Sequence, residues 1–195
     1  QPLPEKRWGV YSHRSLQPTH PLLRGVNTRF DVPHSRYNEI SRLQLEDAGL
    51  TVLVESESGG VHMAVSPDQF RMIYFQGHPE YDLASLLKEY KREVTRYAAG
   101  ELDTPPRFPD NYFSDEAAML AGQLVEQAVQ AYKKGEPLSG LLEEELQALL
   151  DNTWGDTAKA VVNNWLGLVY KLTNLDRKQQ YMEGVDLHDP LGMKL

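Results

Sequence analysis

Between Leu50 and Gln76 the chain carries three short β-prone runs, Leu50–Val54, Val61–Val65 and Met72–Phe75, and their spacing limits the fold more than any other feature. Ser58-Gly59-Gly60 and Ser66-Pro67-Asp68, which separate them, are turn sequences. Runs this close together imply at least one antiparallel hairpin. Upstream, residues 8 to 32 read as short strands and turns, and Pro33-His34-Ser35-Arg36-Tyr37 reads as a polar loop after an extended segment.

The period changes after Glu80. Leu83, Leu86, Leu87, Tyr90, Val94 and Tyr97 recur at helical spacing, and Gly100 stands where a C-terminal cap is expected. Pro105, Pro106 and Pro109 make residues 101 to 112 a connecting loop. Helices are predicted over Ser114–Lys134, ending at Gly135, over Leu138–Leu150, and over Thr157–Leu172. Asp176–Leu195 has no strong period and is expected to be loosely ordered or docked on a partner.

At 195 residues the chain can bury a sizeable core, and its 41% hydrophobic and 25% charged residues suit a globular protein. A net charge of -8 argues against a general nucleic-acid binder or an anionic-membrane binder, since both neutralise phosphates with a basic surface. No apolar run reaches the length of roughly 20 residues that spans a bilayer, and a cytoplasmic location is the expectation. The chain begins at Gln1 and reads as cut from something longer.

The residues that carry chemistry lie at the end of the third β-run. Gly77-His78-Pro79-Glu80 places an imidazole and a carboxylate two positions apart, and Met72–Phe75 before it reads as a buried strand. A general base needs its ring held in one tautomer, and a carboxylate on the far nitrogen supplies that. Pro79 fixes its own φ and restricts His78, which stiffens the turn for either a structural or a catalytic role. The nucleophile that usually completes such a pair is missing, because the chain has no cysteine. Ser35 lacks the Gly-x-Ser-x-Gly elbow of a serine nucleophile. The remaining histidines, His13, His20, His34, His62 and His188, lack metal-ligand spacing, so no metal is expected. No phosphate-binding glycine motif is present, and Gly59-Gly60 suits a hairpin turn.

Five motifs occur in order: Gly9-Val10-Tyr11, Pro33-His34-Ser35-Arg36-Tyr37, Gly77-His78-Pro79-Glu80-Tyr81-Asp82, Asn111-Tyr112-Phe113 and Asn164-Trp165-Leu166. Together they resemble the homoserine O-acyltransferases of the succinyltransferase type, most closely over residues 5 to 113, weakly over 114 to 160 and partly again near Trp165. The resemblance implies an α/β fold, with the C-terminal part of a class I glutamine amidotransferase-like sheet followed by a helical region. Residues 1–113 would then belong to the catalytic domain, and 114–195 would be a helical extension packing on it.

By the same resemblance, an acyl group passes from acyl-CoA to a cysteine and then to the γ-hydroxyl of homoserine, in methionine biosynthesis. His78 looks like the general base and Glu80 like its orienting partner. Lys6, Ser35 and Arg92 look like substrate-binding residues, with Arg92 suited to the homoserine carboxylate. Succinyl-CoA is favoured over acetyl-CoA as co-substrate, with no resident cofactor, and a homodimer is implied. The family cysteine would lie upstream of Gln1, with the first half of the sheet, so the isolated chain is expected to be inactive. Two other readings stay open: a hydrolase of the same superfamily, and a non-catalytic interaction module.

Overall fold

The computed structural model describes residues 1–137, 142–173, 178 and 183–193. They form an α/β protein that divides into two compact units, one made of residues 1–7, 11–80 and 153–195, the other of 8–10 and 81–152.

The first unit holds a five-stranded sheet in the order β2-β1-β3-β4-β5. Its strands are β1 (Pro2–Ser15), β2 (Arg29–Asn38), β3 (Thr51–Ser56), β4 (Gly60–Val65) and β5 (Ile73–Phe75). The three predicted runs are β3, β4 and β5, paired antiparallel from Thr51↔Val65 to Ser56↔Gly60 and from Met63↔Phe75 to Val65↔Ile73. Both turns form for local reasons. Ser56 Oγ accepts from the Gly59 N–H at 2.9 Å. Asp68 Oδ1 accepts from the Phe70 and Arg71 N–H groups at 3.0 and 2.9 Å and from Ser66 Oγ at 2.9 Å. This is the side-chain capture that makes Ser and Asp turn formers. A register shift between Val52 and Val54 marks a bulge, which strengthens the local twist and helps curl the sheet.

Apolar residues cover both faces of β3 and β4. Leu53, Val54, Met63 and Val65 pack with Leu22, Leu23, Phe30, Val32 and Val161, while Val52, Val61 and Ala64 pack under Leu45. Leu45 belongs to α1 (Arg42–Asp47), a short helix that the periodicity does not show. Ser41 and Gln44 build a reciprocal capping box at its start. Leu22 and Leu23 sit in a 3-10 turn against α5 (Gly155–Leu172), and Asn164 Nδ2 ties the two by donating to the carbonyls of Leu22 (2.9 Å) and Arg24 (2.8 Å).

Three expectations change here. Residues 8–15 belong to one 14-residue strand that starts at Pro2, longer than the short strand expected there. Pro33–Tyr37 is the interior of β2, not a loop. Proline is tolerated there because β2 is the edge strand, where a missing N–H forfeits no bond inside the sheet. The run at Ile73–Phe75 is not a buried strand: β5 is the other edge, with Tyr74 and Phe75 40% and 42% exposed.

The second unit packs α2 (Ser85–Ala98) on α3 (Asp115–Lys134). Leu86, Leu87, Tyr90 and Val94 of α2 are buried, and α3 presents the small stripe Ala117, Ala121, Leu124, Ala128 and Ala131. Tyr90 Oη donates to the Ala121 carbonyl at 3.2 Å, which brings the helix backbones together. Ser114 caps α3, and Gly135 ends it in the left-handed conformation. The loop before it is fixed by Gly9, at φ +148°, where a Cβ would lie 2.2 Å from the Asp110 carbonyl oxygen. Only glycine fits that approach. α4 (Glu143–Ala148) is shorter than the predicted Leu138–Leu150, whose first four residues lie outside the described residues. Of the tail, residues 176, 177, 179–182, 194 and 195 lie outside them too. Val185 and Leu191 pack against the buried Phe70 and Leu172 of the first unit.

Candidate active site

The turn after β5 is anchored residue by residue. The Gln76 N–H donates to the His62 carbonyl at 2.9 Å, and the His78 N–H donates to the Pro33 carbonyl at 2.8 Å. Gly77, between them, is wedged against the core: a Cβ there would lie 2.7 Å from Val32 Cγ1 and 2.8 Å from both His34 Nε2 and His62 Nδ1. Pro79 then turns the chain, and Glu80 Oε1 comes back to 2.8 Å from His78 Nδ1. The expected imidazole–carboxylate pair is therefore formed.

The geometry of that pair assigns its chemistry. A carboxylate accepts, so Nδ1 carries the hydrogen, which leaves the unprotonated nitrogen at Nε2. His78 is half-buried and Glu80 is exposed, so the pair stands at the surface of its unit. An imidazole held in one tautomer by a carboxylate is an arrangement that can serve general-base chemistry.

Under the turn lies a cluster that spacing along the chain does not show. His13 on β1, His34 on β2 and His62 on β4 are all buried. The first two rings stack at 5.0 Å, and His62 meets each edge-on. Their hydrogens can be assigned from the ends inward. The Tyr11 carbonyl only accepts, so His13 Nδ1 donates to it at 2.8 Å. His13 Nε2 then accepts from His34 Nε2 at 3.1 Å, and His34 Nδ1 accepts from Arg36 Nε at 3.2 Å. Every member of the chain is satisfied with both imidazoles neutral.

Burial accounts for the charge state. It pushes His13 down to about 4, against the opposing effect of the Tyr11 carbonyl. Burial, with His13, Arg36 and His78 adding to it, takes His62 down to about 3. His34 is pushed down by burial and then by the two neighbouring histidines and Arg36. Arg36 is itself lowered to about 10, by burial and then by Arg7, with Glu39 opposing. Among the described residues no group of three or more His, Cys, Asp or Glu side chains is arranged to hold a metal ion.

The other predicted residues are spread over both units. Lys6 lies on β1 with Nζ 5.8 Å above the Tyr37 ring of β2. Ser35 is half-buried on β2, two residues beyond the Pro33 carbonyl that anchors His78. Strand alternation puts Ser35 and Tyr37 on one face and His34 and Arg36 on the other. Arg92 belongs to the second unit, exposed on α2, with Nε 3.2 Å from Glu93 Oε1. Beside the turn, a small apolar cavity of about 60 Å³ is lined by Phe75, Pro79, His62 and, from α5, Ala158, Val161 and Val162.

Comparison with known proteins places this geometry in a family. The family model described as homoserine O-succinyltransferase matches residues 1–175. The chain belongs to the homoserine O-succinyltransferase family. Curated relatives bearing that name include those of Nitrosococcus oceani, 57% identical over 192 residues, and Allochromatium vinosum, 56% identical over 191. Each match covers 98% of this chain and 54% of the relative. A third, from Methylococcus capsulatus, is 56% identical over 96% of the chain and 53% of the relative. The chain thus spans about half the length of the curated relatives it matches. The matches run through residues 114–160, where the five motifs give only weak resemblance, and so take in α3 and α4.

Proposed function

We propose that this chain carries the proton-transfer half of a homoserine O-succinyltransferase. The observation that supports it best is the His78 Nδ1–Glu80 Oε1 contact of 2.8 Å, in a chain of this family. The nucleophile of the reading is a cysteine outside the chain. His78 Nε2 takes the thiol proton, and the thiolate attacks the succinyl-CoA carbonyl, forming an enzyme thioester as the C–S bond to coenzyme A breaks. The same proton then leaves with the coenzyme A thiol. In the second half-reaction, His78 takes the γ-hydroxyl proton of homoserine. The alkoxide oxygen displaces the cysteine, which recovers that proton and gives O-succinylhomoserine.

In this reading Arg92 pairs with the homoserine carboxylate, while Lys6 and Ser35 line the acceptor pocket. The curled sheet with a histidine turn at the end of a strand suits the C-terminal part of a class I amidotransferase-like fold, with residues 1–113 in its catalytic domain and 114–195 as a helical extension. A cytoplasmic homodimer without a resident cofactor completes the reading. No helix among the described residues is long and apolar enough to cross a membrane.

The test is to give the complete enzyme homoserine with equal amounts of succinyl-CoA and acetyl-CoA and to identify the product by mass. O-succinylhomoserine is expected. Predominant acetyl transfer, or hydrolysis of glutamine without acyl transfer, would overturn the reading.

A further inference from the structure

Gln76 stands two residues before His78, and its side-chain amide is saturated. Oε1 accepts from the Ile40 N–H at 2.7 Å and from Arg36 Nη1 at 3.2 Å. Nε2 donates to the carbonyls of Ile40 at 2.9 Å and Val61 at 3.0 Å. The reciprocal pair with Ile40 copies one rung of a strand ladder, so this side chain acts as a peptide group would between the end of β5 and the segment that follows β2. Nothing more can be added to the amide, and loss of its bond to Arg36 or to the Val61 carbonyl leaves a partly buried group unpaired.

Arg36, the charged partner of that amide, is fixed in turn. Its Nη2 donates to the Gly59 carbonyl at 2.7 Å, its Nη1 also to the Asn38 carbonyl at 3.1 Å, and its Nε to His34 Nδ1. His34 leans on His13, and His13 on the Tyr11 carbonyl. A guanidinium with this many partners cannot swing aside, and the planar fork is what lets one side chain hold several acceptors at set angles. The line of contacts therefore runs from β1 through β2 to Gln76. From there the backbone passes through Gly77, which lies against Val32, His34 and His62, to His78.

We infer that Gln76 is a positioning residue for the His78–Glu80 pair, held in place by half-buried Arg36 and, behind it, the buried His34 and His13. The inference rests on the reading of His78 as the general base. Its physical content is that Gln76 touches no substrate and sets where the imidazole stands, so its loss acts on the chemical steps and not on binding. A displacement on the order of 1 Å at a catalytic group is enough to cost about a hundredfold in rate.

The experiment is a cycle in the complete enzyme: Gln76→Leu, His78→Ala and the double variant, with kcat, both KM values and thermal melting measured for each. Gln76→Leu is expected to lower kcat about 10- to 100-fold while the KM values for homoserine and succinyl-CoA move by less than about twofold. In the double variant the rate should equal that of His78→Ala alone, because a residue that acts through His78 has nothing left to position. If Gln76→Leu does not fold, Gln76→Glu keeps the shape and the bonds from Ile40 and Arg36 while losing both donors, and the same cycle is run with it. Unchanged kcat with only a lower melting temperature would make Gln76 a structural residue and overturn the inference. So would a double variant slower than His78→Ala by the full factor of the single change. Full turnover in His78→Ala itself would instead remove the general-base reading on which the inference stands.

Discussion

His78 Nδ1 and Glu80 Oε1 lie 2.8 Å apart across a proline, in a turn whose backbone is tied to β2 at Pro33 and to β4 at His62. In the proposed mechanism the carboxylate has one task, which is to hold the ring in the tautomer that presents Nε2 to the reacting groups. Glu80→Gln keeps the shape and removes the charge. In the complete enzyme it should lower kcat by about 10²- to 10³-fold with KM for homoserine nearly unchanged. Steady-state kinetics of the purified variant measure this, and near-normal kcat would show that the imidazole needs no carboxylate.

Gly77→Ala is expected to destabilise. Its backbone conformation is ordinary, so the effect is steric: the new methyl would meet Val32, His34 and His62 at 2.7 to 2.8 Å, all within the packed interior. Overpacking of this kind costs about 1–3 kcal/mol, and here the neighbours that must move are the buried histidines behind the His78 turn. Urea unfolding should give a lower midpoint with an unchanged slope, accompanied by a fall in kcat.

Asn164→Ala should loosen α5. The amide donates to the carbonyls of Leu22 and Arg24, at the end of the 3-10 turn that buries Leu22 and Leu23 in the core. Leaving the part-buried Leu22 carbonyl without its donor costs about 1–3 kcal/mol. The change should appear as faster hydrogen exchange in residues 20–26 and 155–172, with β3 and β4 unaffected.

Stability should fall on mild acidification. His13 and His20 are held at about 4 and His62 at about 3, below the 6.5 of an unfolded histidine, and His34 is lowered in the same sense. Between those values the unfolded chain binds protons that the folded chain does not. Stability is therefore complete above about 6.5 and declines as the pH drops toward 4. Asp68, which burial alone would raise, is brought down to about 2 by the hydrogen bonds it accepts from Arg71, Phe70 and Ser66, and it acts in the same direction at lower pH. Melting temperature measured from neutral pH downward should begin to fall near 6.5, and a flat profile to about 4.5 would contradict the neutral buried cluster.

The parts of this protein legible in its sequence are those set by local rules. Turn chemistry at Ser56–Gly60 and Ser66–Arg71 specifies the two hairpins, and helical spacing with a serine cap and a terminal glycine specifies α3 almost to the residue. The His78–Glu80 pair is legible because both members lie within one stiff turn. Pro33–Tyr37 reads as a loop because of its polarity, whereas His34 and Arg36 point inward and are satisfied by partners 21 and 23 residues away in the chain. The histidine cluster needs the sheet to curl before its members can meet, and no spacing along the chain signals that. Ser41 and Gln44 do carry the capping-box signature of α1, an element that the sequence alone could have revealed.

Both half-reactions proposed for this family member depend on His78 as the proton-transfer residue. The most direct measurement is the rate at which the complete enzyme carrying His78→Asn transfers succinyl from succinyl-CoA to homoserine, compared with the unaltered enzyme at equal folded concentration. A loss of at least about a thousandfold in kcat/KM is expected, with the fold intact by circular dichroism, since each half-reaction loses its base. Turnover within about tenfold of the unaltered enzyme would contradict that role and would move the base to another residue.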